Sequence, residues 1–278
     1  MPTIRATLDD AIKRLKYITE SPRLDAELLL EHVLKLDRAQ LLAREDEEIS
    51  NKDFELLLLR RLTSEPIAYI LEEWEFFSMP LTVRPPTLVP RPETEHLVEA
   101  SLQHVSVAQS RILDIGTGTG CVALAMAQEV PDCTVVATDI QGHNLALAQE
   151  NAERHNLDGR IEFRLGSLFE PVSGEIFDMV CSNPPYIPEG DAPRLSLDIM
   201  EYEDPIALFS GPDGLDIVRE MVNQGQDYLT PGGYLLMEIA QGQYSAVANF
   251  LEENGYDEIG FQADLAGIER IAIGRKPA

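Results

Sequence analysis

Ile112-Leu113-Asp114-Ile115 runs directly into Gly116-Thr117-Gly118-Thr119-Gly120, and helix-forming residues follow from Val122 to Ala127. A buried strand, a glycine turn and a helix, in that order, constrain this chain more than any other stretch. Glycine lets backbone come close to a ligand, and the N-terminus of the following helix presents unpaired N–H groups. The expected ligand is therefore nucleotide-like, with Gly116, Thr117, Gly118, Thr119 and Gly120 as its candidate contacts. A dinucleotide turn has the spacing Gly-x-Gly-x-x-Gly, whereas this one is Gly-x-Gly-x-Gly, which departs from the dinucleotide pattern.

The rest of the C-terminal part fits that turn into a sheet. After residue 110, expected strands near 111–115, 134–138, 161–165, 177–182 and 234–239 alternate with helical stretches, the pattern of a mostly parallel sheet covered on both faces. Helices are expected between the first five runs. Two further runs near 257–261 and 269–274 lie too close together for a crossover helix, so the sheet should finish antiparallel.

Residues 1 to 72 read as a small helical bundle. Thr7 and Asp10 resemble a capping pair ahead of Leu8, Ile12 and Leu15; Ser21-Pro22 opens a second helix; Asp37 caps a short third one. Ser50 and Asp53 form a second candidate box, followed by Phe54, Leu57, Leu58 and Leu62 on one helical face. Residues 73 to 95 then read as a linker. Trp74 to Phe77 and Leu81 to Val83 suggest a hairpin turning at Ser78-Met79-Pro80, and Pro85, Pro86, Pro90 and Pro92 stiffen the chain beyond the hairpin. Glu93-Thr94-Glu95 places acids in the first turn of another helix, through Leu97, Val98 and Leu102. Arg91 and Glu93 either pair with each other or form one wall of a pocket in the third segment, 96 to 278.

Two features mark where that pocket lies. Thr138-Asp139 ends the second strand at about the distance where an acid in such folds accepts hydrogen bonds from ribose, although an Asp there also caps the next helix. Leu168, after the third strand, either packs on a base or belongs to the core. The fourth strand, Phe177 to Cys181, ends in Asn183-Pro184-Pro185-Tyr186. Each proline fixes its own φ and lacks an N–H, and Pro184 biases Asn183 towards extended backbone. The result is a stiff polar tip with free carbonyls, or merely a turn.

Composition narrows the function. The formal charge of −26 would repel a phosphate backbone, so nucleic acid is disfavoured as a direct partner. A surface this acidic and poor in Lys also suits high salt, where screening removes self-repulsion. No apolar run approaches the roughly 20 residues of a membrane span, and no signal pattern opens the chain, so a cytoplasmic protein with no membrane contact is expected. The three cysteines and five histidines have no metal-ligand spacing, and neither disulfides nor a metal are expected.

With the glycine turn, Asp139 and the prolyl tetrapeptide in place, the chain resembles the seven-strand S-adenosylmethionine-dependent methyltransferases. The tetrapeptide is found in those that methylate planar nitrogen, of adenine or of a glutamine amide. More closely, the chain is similar to the peptide chain release factor N5-glutamine methyltransferase family, through Arg23 to Leu29, Glu65 to Ile70, Leu88 to Glu95, Ile112 to Gly120, Ser182 to Ile187, Asp213 to Asp216 and Asp264 to Arg270. The segment from Leu88 to Glu95 discriminates best. Glu72 stands where that family usually has Gly, and Ala240 where Gly often follows the acid of strand five.

The resemblance implies an α/β, Rossmann-like seven-strand methyltransferase domain with a small N-terminal helical bundle and a β-hairpin linker. It implies S-adenosyl-L-methionine as cofactor, S-adenosyl-L-homocysteine as product, and the Gly-Gly-Gln loop of a release factor as substrate, bound with help from the bundle by a monomeric enzyme. Asn183 and Pro184 would accept the two amide N–H bonds of the substrate glutamine, Pro185 would hold that carbonyl and Tyr186 would pack on the flat amide; Asn183 also borders the cofactor. A ribosomal-protein glutamine and the adenine amino group are the alternative substrates.

Overall fold

The computed structural model describes residues 1–105 and 109–278. The chain divides into two compact units, one of residues 1–73 with 196–202 and one of residues 74–195 with 203–278. The hairpin from Trp74 onward and the proline segment fall within the second unit.

In the first unit the N-terminal helices α1 (Ile4–Leu15), α2 (Pro22–Leu34), α3 (Arg38–Ala43), α4 (Lys52–Leu62) and α5 (Ile67–Leu71) bury Leu15, Leu29, Leu30, Phe54 and Leu58 completely. Ser21-Pro22 opens α2 as expected, and Asp37 forms a capping box with Gln40. The first cap lies elsewhere. Thr3, not Thr7, accepts the N–H of Ala6, and Thr7 lies inside α1 with its hydroxyl returned to the Thr3 carbonyl. The choice is set by the chain before α1, whose Ile4 and Arg5 N–H groups bond to Glu47 and Glu45 carbonyls. Likewise α4 starts after Asn51, and no side chain caps it. Arg61 and Asp25, both buried, pair at 2.7 Å between α4 and α2.

The second unit begins with a hairpin, β1 (Glu73–Phe76) and β2 (Met79–Thr82). Its turn is the two residues Phe77-Ser78, at φ 48° and 60°, not the proline-containing triplet. Both central residues must be left-handed in such a turn. The usual Asn-Gly signal is missing, so burial of Phe76, Met79 and Leu81 sets the register. A single 3-10 turn at Pro92–Thr94 leads into α6 (Glu95–His104).

The sheet follows, with β3 (Arg111–Ile115), α7 (Cys121–Glu129), β4 (Thr134–Asp139), α8 (Gly142–Arg154), β5 (Ile161–Leu165) and β6 (Phe177–Ser182). After α9 (Leu197–Tyr202) come α10 (Asp216–Gly225), β7 (Leu229–Glu238), α11 (Tyr244–Glu253), β8 (Asp257–Ala263) and β9 (Glu269–Arg275). The strand order is β5-β4-β3-β6-β7-β9-β8, parallel through β7, with β9 antiparallel to β7 and to β8. This is the expected seven-strand sheet with its antiparallel finish. Two details differ. Between β5 and β6 the chain makes only a 3-10 turn at Glu170–Val172, too short for a covering helix. β7 starts at Leu229, and an irregular register opposite Phe177 and Met179 takes up Pro231-Gly232-Gly233.

Two apolar layers flank the sheet. One packs the hairpin, α6 and the wholly buried Val122 to Ala127 of α7 on Ile112, Val135 and Met179; the other packs Val218, Met221 and Val222 of α10 and Val247 of α11 on Leu113, Val180 and Leu235. Parallel pairing of β3 with β6, in a register that sets Ile115 opposite Ser182, leaves their carboxyl ends side by side. The chain leaves β3 in one direction and returns to β6 on its other side, and at such a switch point a crevice opens.

Candidate active site

A cavity of about 240 Å³ occupies that crevice. Its lining holds Gly116, Thr117, Gly118 and Thr119 of the glycine turn, Asp139, Leu168, and Asn183, Pro184 and Pro185 of the tetrapeptide. Gly120 and Tyr186 do not border it.

The glycine turn is built by the strand ends. The N–H groups of Gly116 and Thr117 both bond to the Thr138 carbonyl, at 2.8 and 3.0 Å, and the Thr117 hydroxyl donates to Asp114 Oδ2 at 2.7 Å. Gly116 and Gly118 are left-handed, at φ 73° and 56°, and a Cβ on either would meet only open space. Gly120 has another reason to be glycine, since a Cβ there would strike Leu124 at 2.7 Å where α7 meets α8. The Asp114 carboxyl is buried at the base of the turn, and burial pushes it up to about 6.

Asp139 does more than either sequence reading assigned it. One oxygen accepts the Gly118 N–H at 2.9 Å, and the other accepts the Gln141 N–H at 2.8 Å and the Asn144 amide at 3.1 Å. It therefore ties the glycine turn to the start of α8 while remaining on the cavity wall. Leu168 also spans both of its readings, lining the cavity and packing against the second apolar layer, with φ at 47°.

A nucleoside-bearing cofactor fits these residues. The space over Gly116 and Gly118 is free of side chains, Asp139 offers a carboxylate, and Ile140, Leu168 and Ile217 offer apolar surface. Thr119 supplies one further observation. Its buried hydroxyl has only the Cys121 thiol, a weak hydrogen-bonding group, beside it. Among the described residues no group of His, Cys, Asp or Glu is arranged to hold a metal. Burial pushes the Cys121 and Cys181 thiols up to about 12, which leaves them inert.

The tetrapeptide leaves β6 through Ser182, whose hydroxyl holds the Ile115 carbonyl at 2.8 Å. Asn183 Nδ2 donates to the Thr94 hydroxyl at 3.0 Å. Thr94 donates to Glu238 Oε2 at 2.7 Å, and the Tyr186 hydroxyl donates to Glu238 Oε1 at 3.0 Å. Tyr186 thus has its polar end behind the tetrapeptide, where burial and the adjacent carboxylate push the phenol well above its ordinary range. Burial raises the Glu238 carboxyl as well. The Tyr186 carbonyl accepts from Gln243 Nε2 at 3.0 Å, which fixes the far end. Among the described residues, neither Asn183 Oδ1 nor the Pro184 carbonyl accepts a hydrogen bond.

Of the two sequence readings of Arg91, the pocket wall holds, since Arg91 lines the cavity and Glu93 does not, and the pairing fails, since the partner of Arg91 is Glu203 and not Glu93. Sequence reasoning gave no role to Thr94, Glu203, Glu238 or Gln243. Glu238 carried a usable signal, an acid at the carboxyl end of a buried strand, where ligands collect in open α/β sheets. The other three become visible only once the strands are ordered.

Comparison with known proteins gives two family models. A model described as the PrmC N-terminal domain matches residues 6–71, and one described as the methyltransferase small domain matches residues 94–201. The release factor glutamine methyltransferase of Aliivibrio fischeri is 41% identical over 98% of this chain and 97% of its own. That of Vibrio cholerae is 42% identical over 98% and 96%. Among solved structures, a methyltransferase from Pyrococcus furiosus superposes with a TM-score of 0.57 at 20% identity, over 83% of this chain and all of that one, a likeness of fold.

Proposed function

The chain belongs to the release factor glutamine methyltransferase family, and from that premise we propose that it methylates the side-chain amide nitrogen, N5, of the glutamine in the Gly-Gly-Gln loop of peptide chain release factors, using S-adenosyl-L-methionine and releasing S-adenosyl-L-homocysteine. The observation that carries the reading is the stiff tetrapeptide whose two free oxygens, Asn183 Oδ1 and the Pro184 carbonyl, share one cavity with the glycine turn.

An amide nitrogen is a poor nucleophile because its lone pair is delocalised into the carbonyl. The bound cofactor supplies an already activated methyl on a sulfonium. What this chain must supply is orientation and charge placement. Asn183 Oδ1 and the Pro184 carbonyl accept the two N–H bonds of the substrate amide, which aims the nitrogen and favours the positive character that develops on it. Pro185 keeps the Pro184 carbonyl in place because its ring removes the N–H and fixes φ. Tyr186 keeps the tetrapeptide seated through Glu238. Asp139, Thr119 and Leu168 would hold the nucleoside, and the space free of side chains over Gly116 and Gly118 would leave room for the rest of the cofactor. The proton leaves the product nitrogen to water. Neither a metal nor a nucleophilic side chain takes part.

The first unit, by this reading, holds the release factor. The enzyme acts as a cytoplasmic monomer without touching nucleic acid, in keeping with the charge of −26, and no helix among the described residues is long and apolar enough to cross a membrane. A methyl-transfer assay comparing purified release factor, ribosomal protein and duplex DNA tests the assignment. Labelling of the release factor alone is expected; labelling of either other substrate in preference would overturn it.

A further inference from the structure

The tetrapeptide is useful to an amide substrate only if Asn183 presents its oxygen. An Asn side chain is nearly symmetric in shape, and rotating it by half a turn would offer two N–H donors to a substrate that itself brings N–H donors. Something must therefore set its polarity.

Glu238 ends β7 with 1% of its surface exposed, and both of its oxygens act as acceptors. It accepts a hydrogen bond from the Thr94 hydroxyl at 2.7 Å and another from the Tyr186 hydroxyl at 3.0 Å. Having donated its single proton, Thr94 has only lone pairs left, and these face Asn183 at 3.0 Å. Only the nitrogen of the Asn183 amide can satisfy them. Turning the amide over would set two acceptors against each other, or would draw the Thr94 proton away from a buried carboxylate, which is the costlier hydrogen bond to lose. Thr94 is itself fixed, buried to 1% in the 3-10 turn where its N–H bonds to the Arg91 carbonyl at 3.1 Å.

We propose that Glu238 and Thr94 are positioning residues that set the polarity of the Asn183 amide, so that its oxygen and not its nitrogen meets the substrate. This rests on the glutamine-methylation reading above. It gives the segment from Leu88 to Glu95 a chemical task, the presentation of one hydroxyl to the tip of a strand 89 residues further on.

Thr94→Val keeps the side-chain shape and removes the hydroxyl. With release factor as substrate, kcat should fall about 10²-fold, the scale of a mispositioned reacting group, while calorimetric affinity for S-adenosyl-L-homocysteine stays unchanged. Thr94→Ser should restore most of the lost kcat. Independently of turnover, the Asn183 side-chain amide resonances in the full chain should shift on Thr94→Val and return towards wild type in Thr94→Ser. A Thr94→Val kcat within threefold of wild type, a change confined to substrate KM, or unmoved Asn183 resonances would overturn the proposal. Should the wild-type enzyme itself leave release factor unlabelled, the functional reading fails instead, and the resonances still decide whether Thr94 orients the amide.

Discussion

Arg91 Nη2 reaches both carboxylate oxygens of Glu203, at 2.8 and 2.6 Å, between residues 112 apart in the chain. The Glu203 side chain is 1% exposed and the Arg91 side chain 30%, so the pair lies at the cavity margin with its acid inside and its base half in solvent. The same acid also accepts the Val89 N–H at 3.4 Å. The proline segment and the stretch after α9 are thereby fastened together beside the cavity.

Removing the cation alone should therefore cost more than removing both charges. Arg91→Met leaves a buried carboxylate short of its counter-ion and should destabilise the protein by about 2–3 kcal/mol, below the full buried-pair figure because Arg91 is partly exposed. The double variant Arg91→Met, Glu203→Met should recover part of that loss. Urea denaturation of the three proteins measures it, and a double variant less stable than Arg91→Met would contradict the account.

Gly214 should tolerate no side chain. Its φ is 75°, and a Cβ would lie 2.2 Å from the Tyr186 carbonyl, which Gln243 also holds. Gly214→Ala therefore combines left-handed strain with displacement of the tetrapeptide, and should lose about 2 kcal/mol or more of stability together with most of the methyl transfer. Thermal unfolding and turnover measured on one preparation report the two effects; wild-type values for both would show that the contact relaxes freely.

The buried Asp114 gives a signed pH dependence. Its carboxyl is raised from the ordinary 3.8 to about 6, so between those values the folded protein holds a proton that the unfolded chain has released. Stability associated with this group is thus fully present below about pH 4, falls as pH rises towards 6, and is level above it. The fall is roughly 3 kcal/mol. Asp114→Asn cannot titrate, so its stability relative to wild type should climb across that window, as followed by urea denaturation at a series of pH values. A flat difference would mean that the carboxyl is ionised throughout.

Glu72 closes α5 at φ 56°, a left-handed cap that glycine fills without strain. Glu72→Gly should accordingly stabilise the protein by about 0.5–1 kcal/mol, the left-handed cost less the added freedom of the unfolded chain. A lower melting temperature for the variant would show that the Glu72 side chain contributes a contact outweighing its backbone strain.

Much of this architecture was readable without coordinates. The central strands of a parallel sheet are buried on both faces, so 111–115, 134–138 and 177–182 stood out as short apolar runs, whereas the edge strand 161–165 carries Glu162 and Arg164; the glycine turn and tetrapeptide fell on strand ends. Local competitions were less legible. Thr3 and Thr7 are equally good caps in isolation, and what chose between them was pairing to Glu45 and Glu47, some 40 residues away in sequence. The Phe77-Ser78 turn carries no glycine, so its left-handed backbone left no mark in composition. At the site, the placement of Asn183 and Asp139 on one cavity was legible, but the partners Thr94, Glu203 and Gln243 were not. Each is an isolated polar residue with no periodicity, meaningful only through a contact that the strand order creates.

The central claim is that Asn183 and Pro184 hold a glutamine amide for methylation. Its most direct test incubates the enzyme and the Asn183→Ala variant with release factor and methyl-labelled S-adenosyl-L-methionine, then maps the label by peptide mass spectrometry. The account predicts one methyl on the glutamine side chain of the Gly-Gly-Gln loop with the wild-type enzyme, and none with the variant despite retained fold and cofactor binding. Label on any other residue, or full transfer by Asn183→Ala, would contradict it.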